Sequence, residues 1–204
     1  MSRQNPIIYL GAGPIITIPI FSLAEQTSLT GVQHYFFYFV IYSFLGWVLE
    51  GTYNLYSKGS FRKEGFMKGP FKPMYGFAPL VLVLARDWGV SFPLFLLLAL
   101  IVPSAVEFIS GWLLKTLFHR QWWDYSEMPY QLKGHICLRF SLYWWVLSVA
   151  CIFGVQPLLE RLYLQIEPAW TFILPLVAIY FIVDLLWTSW TRRRVEKKLK
   201  LGEG

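Results

Sequence analysis

The chain has 204 residues, 56% of them hydrophobic and only 15% charged, with a formal net charge of +6. A soluble domain carries about 25% charged residues, and here the deficit comes from long apolar runs, so the composition excludes an ordinary soluble domain and indicates a membrane protein. The positive charge does not indicate nucleic acid: Lys and Arg flank the apolar runs, where they set topology and meet anionic headgroups.

Taken in chain order, residues 6–23 come first, an apolar stretch that is short and carries Pro6, Gly11, Gly13, Pro14 and Pro19. Three readings stay open: a signal-like segment with Ser22-Leu23-Ala24 as a cleavage site, an irregular sixth spanning segment, or an apolar lid. Five stretches then qualify as the roughly 20 mostly apolar residues that a spanning helix needs: 35–57, 71–88, 92–116, 136–158 and 168–190. The expected fold is an all-α, polytopic transmembrane helix bundle of five core spanning helices plus the irregular N-terminal segment. The expected organisation is an apolar N-terminal segment 1–33, a bundle 34–191 and a basic tail 192–204.

Orientation follows from the cations. The tail holds Arg192, Arg193, Arg194, Lys197, Lys198 and Lys200, loop 117–135 holds His119, Arg120 and Lys133, and loop 58–72 holds Lys58, Arg62, Lys63, Lys68 and Lys72. The alternate loops hold only Arg86 with Asp87, then Glu160, Arg161 and Glu167. All three basic blocks fall on one side, so the positive-inside rule places the C-terminus in the cytoplasm and the expected location is integral to a cytoplasmic membrane.

Ionisable residues inside apolar runs are costly and mark function by default. Four occur here: Glu50, Glu107, Arg139 and Asp184. Each acid lies eight residues before a cation (Lys58, Lys115 and Arg192), which is roughly 12 Å of helix. Arg139 follows Lys133 and His135 at a similar depth. The four therefore form a candidate polar layer, expected either to line a cytoplasm-facing cavity with an acidic excess or to pin helices together as Arg–carboxylate pairs. Asp124, Tyr125 and His135 are candidate rim residues, with Tyr75 beside them. The run Gly65–Gly76 is rich in Gly and Pro and reads as irregular backbone at the membrane, tolerated only against protein or water. Cys137 and Cys151, fourteen residues apart, cannot pair within one helix and read as small apolar residues. No metal or other cofactor is expected.

The motifs Gly46-Trp47-x-x-Glu50, Gly69-Pro70-x-x-Pro73-x-Tyr75-Gly76, Glu107, Trp123-Asp124-Tyr125 and Gly134-x-Ile136-Cys137-Leu138 lie in order over roughly 35–190. On these the chain resembles the putative ABC-transporter type IV membrane proteins, small bacterial proteins with some eukaryotic relatives. It departs from them at Lys133-Gly134-His135, where Asn-Gly-Arg is expected. The resemblance implies transport. The chain carries no G-x-x-x-x-G-K-[ST], so an ABC role requires a separate ATPase or other subunit. A chain of this size is also expected to suit a homo-oligomer.

Three functions are carried forward. The first is a transport-type protein, permease-like or a transporter subunit, with the polar layer lining its cavity. The second is a membrane-embedded enzyme on a lipid headgroup, with Glu107 or Glu50 as base, Arg139 on phosphate, and Asp124 or His135 at the rim. The third is a non-catalytic partner or assembly factor.

Overall fold

The computed structural model describes residues 29–62 and 64–200. The expectations for the apolar N-terminal stretch lie outside these residues. Helix α1 (Leu29–Lys58) is followed by non-helical chain, α2 (Pro73–Asp87) and α3 (Phe92–Phe118). A two-residue hairpin, β1 (Gln131–Leu132) with β2 (Ile136–Cys137), leads into α4 (Leu138–Ala150), a π-helical turn (Cys151–Val155) and α5 (Gln156–Lys200). The fold is therefore helical, with one small antiparallel pairing in register Gln131↔Cys137.

Local chemistry sets the element ends. Pro73 opens α2, a position where a missing N–H costs nothing, after Lys72 in extended backbone. His119 adopts a left-handed conformation (φ 46°) and closes α3. Lys133 and Gly134, at φ 52° and 71°, turn the hairpin.

Among the described residues three helical stretches are long and apolar enough to cross a membrane: Gly31–Lys58, Phe92–Phe118 and Leu138–Val195. Only 22% of an 18-residue apolar window of the second is buried, so its remaining apolar surface requires an apolar surrounding. Five separate spans are not found among the described residues. The stretch 71–88 folds as a 15-residue helix rising roughly 22 Å, short of the roughly 30 Å hydrocarbon core. The stretches 136–158 and 168–190 are joined by unbroken helix. That helix does not run straight. Gln156 Oε1 accepts from the Tyr42 hydroxyl at 2.9 Å, while the Phe181 ring lies 5.5 Å from Phe39, one turn away on α1. A straight helix separates residues 156 and 181 by roughly 37 Å, so the path curves round α1. Pro168 and Pro175 fall within the curve.

The core is aromatic and centred on α1: Phe37 and Tyr38 are fully buried, and Tyr163 and Trp170 pack on Phe37 from α5. Trp170 Nε1 donates to the Gln33 carbonyl at 3.1 Å and Trp145 Nε1 to the Leu96 carbonyl at 2.9 Å. Each indole thus adds a directed bond to its apolar burial.

Candidate functional site

The irregular segment 59–72 folds back across the basic end of the helices, and two contacts hold it. The Lys72 N–H donates to the Ser43 carbonyl of α1 at 3.0 Å. Asp184 of α5 accepts from the Gly69 N–H at 2.9 Å and the Lys68 N–H at 3.3 Å, and Thr188 donates to the same carboxylate at 3.1 Å. Backbone freed from a helix is thereby satisfied by a charged side chain. A side chain at Gly69 would overlap the Tyr180 hydroxyl and Asp184, so the close approach requires glycine.

Beside this segment lies a cleft of about 1040 Å³, bounded by the ends of α1, α3 and α5 and by Trp122 and Trp123. Of the four candidate polar-layer residues, only Glu50 lines it. Glu50 accepts from the Tyr75 hydroxyl at 2.9 Å and pairs with Lys72. Gly46 makes room for this: a Cβ there would overlap the Tyr75 ring. Glu107 lies behind the wall, 3% exposed, accepting from the Tyr125 hydroxyl and the Trp144 indole at 2.9 Å each. The Tyr75 and Trp144 rings meet edge to face at 5.5 Å, so aromatic groups connect the two glutamates. Asp184 serves the loop backbone.

Two expectations are corrected. Arg139 does not join the acids: its side chain is exposed, and its Nε donates to the Tyr143 hydroxyl one turn along α4 at 3.0 Å. Depth alone placed it with the acids, whereas helix rotation turns it outward. The cleft is also not acidic. Arg62, Lys68, Lys72, Arg192 and Arg193 line it against Glu50 and Glu64, because the folded-back segment and the end of α5 bring their cations to its wall.

Asp124 and His135 of the rim belong to a locked turn. Asp124 accepts from the Ser126 N–H at 2.9 Å and the Ser126 hydroxyl at 2.5 Å, and these bonds hold its carboxyl below the usual range. Trp123 Nε1 donates to the His135 carbonyl and the Tyr125 N–H to the Gly134 carbonyl, both at 2.9 Å. The His135 ring is buried against Phe108 and Gly111, and desolvation lowers its pKa. The turn's effect is to present Tyr125 to Glu107.

Glu64 was not singled out by sequence reasoning, although it is the only acid in loop 58–72. It accepts from Arg120 at 2.7 and 3.1 Å and from Arg192 at 2.6 Å, and these bonds lower its pKa. It therefore clamps three basic segments around the cleft mouth.

A second polar cluster closes the opposite end. Arg86 donates to Asp87 at 3.0 and 3.2 Å and pairs with Glu160 of α5. Tyr35 donates to Asp87 at 3.1 Å, and Gln156 Nε2 donates to Glu160 at 3.3 Å. Between cleft and cluster, the Phe181 ring packs at a tilt against both Phe39 and Phe71. The sequence counted Arg86, Asp87 and Glu160 only as sparse loop charges; their meeting depends on the curve of α5. Among the described residues no His, Cys, Asp and Glu group is arranged to hold a metal.

The fold and site define a helical integral membrane protein with an amphipathic cleft at one end and a buried ion-pair cluster at the other. The chain belongs to the family described as putative ABC-transporter type IV, whose model matches residues 37–189. It is thus an ABC-transporter-related membrane protein. No curated protein and no solved structure matches it.

Proposed function

We propose that the chain is a transport-type membrane protein, permease-like or the membrane subunit of a transporter, whose cleft faces the cytoplasm. The asymmetry of the two ends carries this reading: a wide cleft at the basic end, tilted aromatic rings packed beneath it, and a closed ion-pair cluster beyond. An open vestibule above a breakable seal is the geometry that alternating access requires. The positive-inside rule supports the cytoplasmic assignment. Because the sequence has no P-loop, a separate ATPase supplies energy if transport is ATP-driven. The headgroup-enzyme reading has less support, since the cleft wall presents Ser110 and Ser189 but, among the described residues, neither His nor Cys.

Two measurements test the reading. Ser110→Cys and Ser189→Cys, in a chain with Cys137→Ala and Cys151→Ala, are expected to react with an impermeant maleimide in inverted vesicles and not in intact cells. The opposite pattern removes the cytoplasmic assignment. Energised vesicles are then compared by untargeted mass spectrometry of their contents. Transport predicts a compound whose amount depends on the unaltered chain and is lost with the cleft-filling Ser189→Trp; equal contents sink the transport reading.

A further inference from the structure

We propose that the cleft binds an anionic lipid, with Lys68 and Arg193 holding the phosphate of the headgroup and the acyl chains leaving past Leu113, Leu117 and Leu185 into the bilayer. This names the ligand class of the same cleft and rests on the transport reading only for access from the cytoplasmic leaflet.

Charge is the first argument. Both carboxylates on the wall are already neutralised, Glu50 by Lys72 and Glu64 by Arg120 and Arg192. Arg62, Lys68 and Arg193 remain as excess. Among the described residues Lys68 and Arg193 carry no ion pair; the Lys68 ammonium lies 5.4 Å from the Trp187 ring centre and the Arg193 guanidinium 5.9 Å from that of Phe118. Ring faces hold these cations without neutralising them, which leaves them able to take a phosphate. Further donors line the same cleft: Trp122 Nε1 and Arg192 Nε are buried without an acceptor.

The second argument is the mouth. Leu113, Leu117 and Leu185 line the cleft and are 40%, 47% and 45% exposed, so the wall continues onto the lipid-facing surface. A free phosphate gains nothing from that wall, whereas a lipid uses both halves of it. The volume of about 1040 Å³ lies just above the roughly 300–1,000 Å³ usual for ligand pockets. The cleft lies at the basic ends of the spanning helices, the level at which cations meet anionic headgroups.

The test uses the purified full chain in a neutral detergent, titrated with phosphatidylglycerol, phosphatidylcholine or inorganic phosphate and read by native mass spectrometry. Phosphatidylglycerol is expected to bind, and the double variant Lys68→Gln/Arg193→Gln to bind it at least tenfold more weakly, with its melting temperature without lipid unchanged. Ser189→Trp, which fills the cleft without changing charge, is expected to lose binding as well. Arg194→Gln, which lies outside the cleft, is expected to bind as the unaltered chain does. Equal binding by the unaltered chain and both cleft variants means surface lipid only and overturns the proposal. Equal binding of phosphatidylcholine removes the anionic requirement, and displacement by phosphate at matching concentration identifies a free anion instead; either result overturns it too. Maleimide labelling of Ser189→Cys from the cytoplasmic side separates the two failures: labelling without lipid binding ends this inference alone, and lipid binding without labelling ends the transport reading.

Discussion

The Gly69 N–H donates to Asp184 Oδ2 at 2.9 Å, and this bond ties a non-helical segment to a helix 115 residues away in sequence. The carboxylate replaces hydrogen bonds that helix would have supplied to this backbone. Asp184→Ala leaves two backbone donors and Thr188 without their acceptor. The expected cost is about 2–3 kcal/mol, typical of bonds to a charged group, with Asp184→Asn intermediate. Thermal unfolding in detergent measures it, and trypsin reports the loop through faster cleavage at Arg62 and Lys68. Unchanged cleavage in Asp184→Ala means the bond does not hold the segment.

Glu107 makes a different prediction, because two of its partners come from outside its own helix. Tyr125 and Trp144 each donate one bond, from the turn before the hairpin and from α4. Tyr125→Phe and Trp144→Phe are each expected to cost about 1–3 kcal/mol. Glu107→Gln retains an acceptor and falls at the low end of that range. A double-mutant cycle between Glu107→Gln and Tyr125→Phe is expected to show coupling of roughly 0.5–3 kcal/mol. Additive effects would show that the pair stabilises nothing.

How far these groups were legible in sequence depends on what each one touches. Glu50, Glu107 and Asp184 stood out because a carboxylate inside an apolar run has no cheap explanation. Spacing along one helix gives depth and not rotation, so Arg139 was grouped with acids it does not face. The glycines at 46 and 69 were visible as motif letters, but their reason, room for Tyr75 and for Asp184, exists only once helices pack. The cationic character of the cleft was hidden because the same lysines and arginines also set topology, and their convergence depends on how segment 59–72 folds back. The run from 138 to 195 read as two spans because hydropathy dips at Glu160, Arg161 and Glu167. There the polar residues sit in a continuous helix, and Glu160 finds Arg86 instead of a loop.

Acid is expected to loosen the basic end, and two groups act in the same direction. The bonds from Arg120 and Arg192 depress the Glu64 pKa, so its stabilisation is present above the unfolded carboxylate value and is lost as pH falls through the folded one. Burial lowers the His135 pKa, so the unfolded chain takes up a proton first, and stability falls as pH drops below the unfolded value of about 6.5. Melting temperatures from pH 8 to pH 4 are therefore expected to decline in two limbs. His135→Gln is expected to make the upper limb shallower and Glu64→Gln the lower. A flat profile in the unaltered chain removes both assignments.

The opposite end yields an asymmetry between two members of one ion cluster. Arg86 is the cation that serves both Asp87 and Glu160, and all three side chains are largely buried. Arg86→Met strands two carboxylates where desolvation is expensive, and breaking a buried pair in this way costs about 3–5 kcal/mol. Glu160→Gln keeps an oxygen for Arg86 and leaves the Asp87 pair intact, so its cost is expected near that of one hydrogen bond, about 0.5–1.5 kcal/mol. Unfolding of the two variants in nanodiscs measures the difference. If the two cost the same, Arg86 is not the hub. If Glu160→Gln also leaves the protein folded but transport-inactive, the pair between α2 and α5 is a seal that must close and open, and the closed end becomes part of the transport cycle rather than a fixed strut.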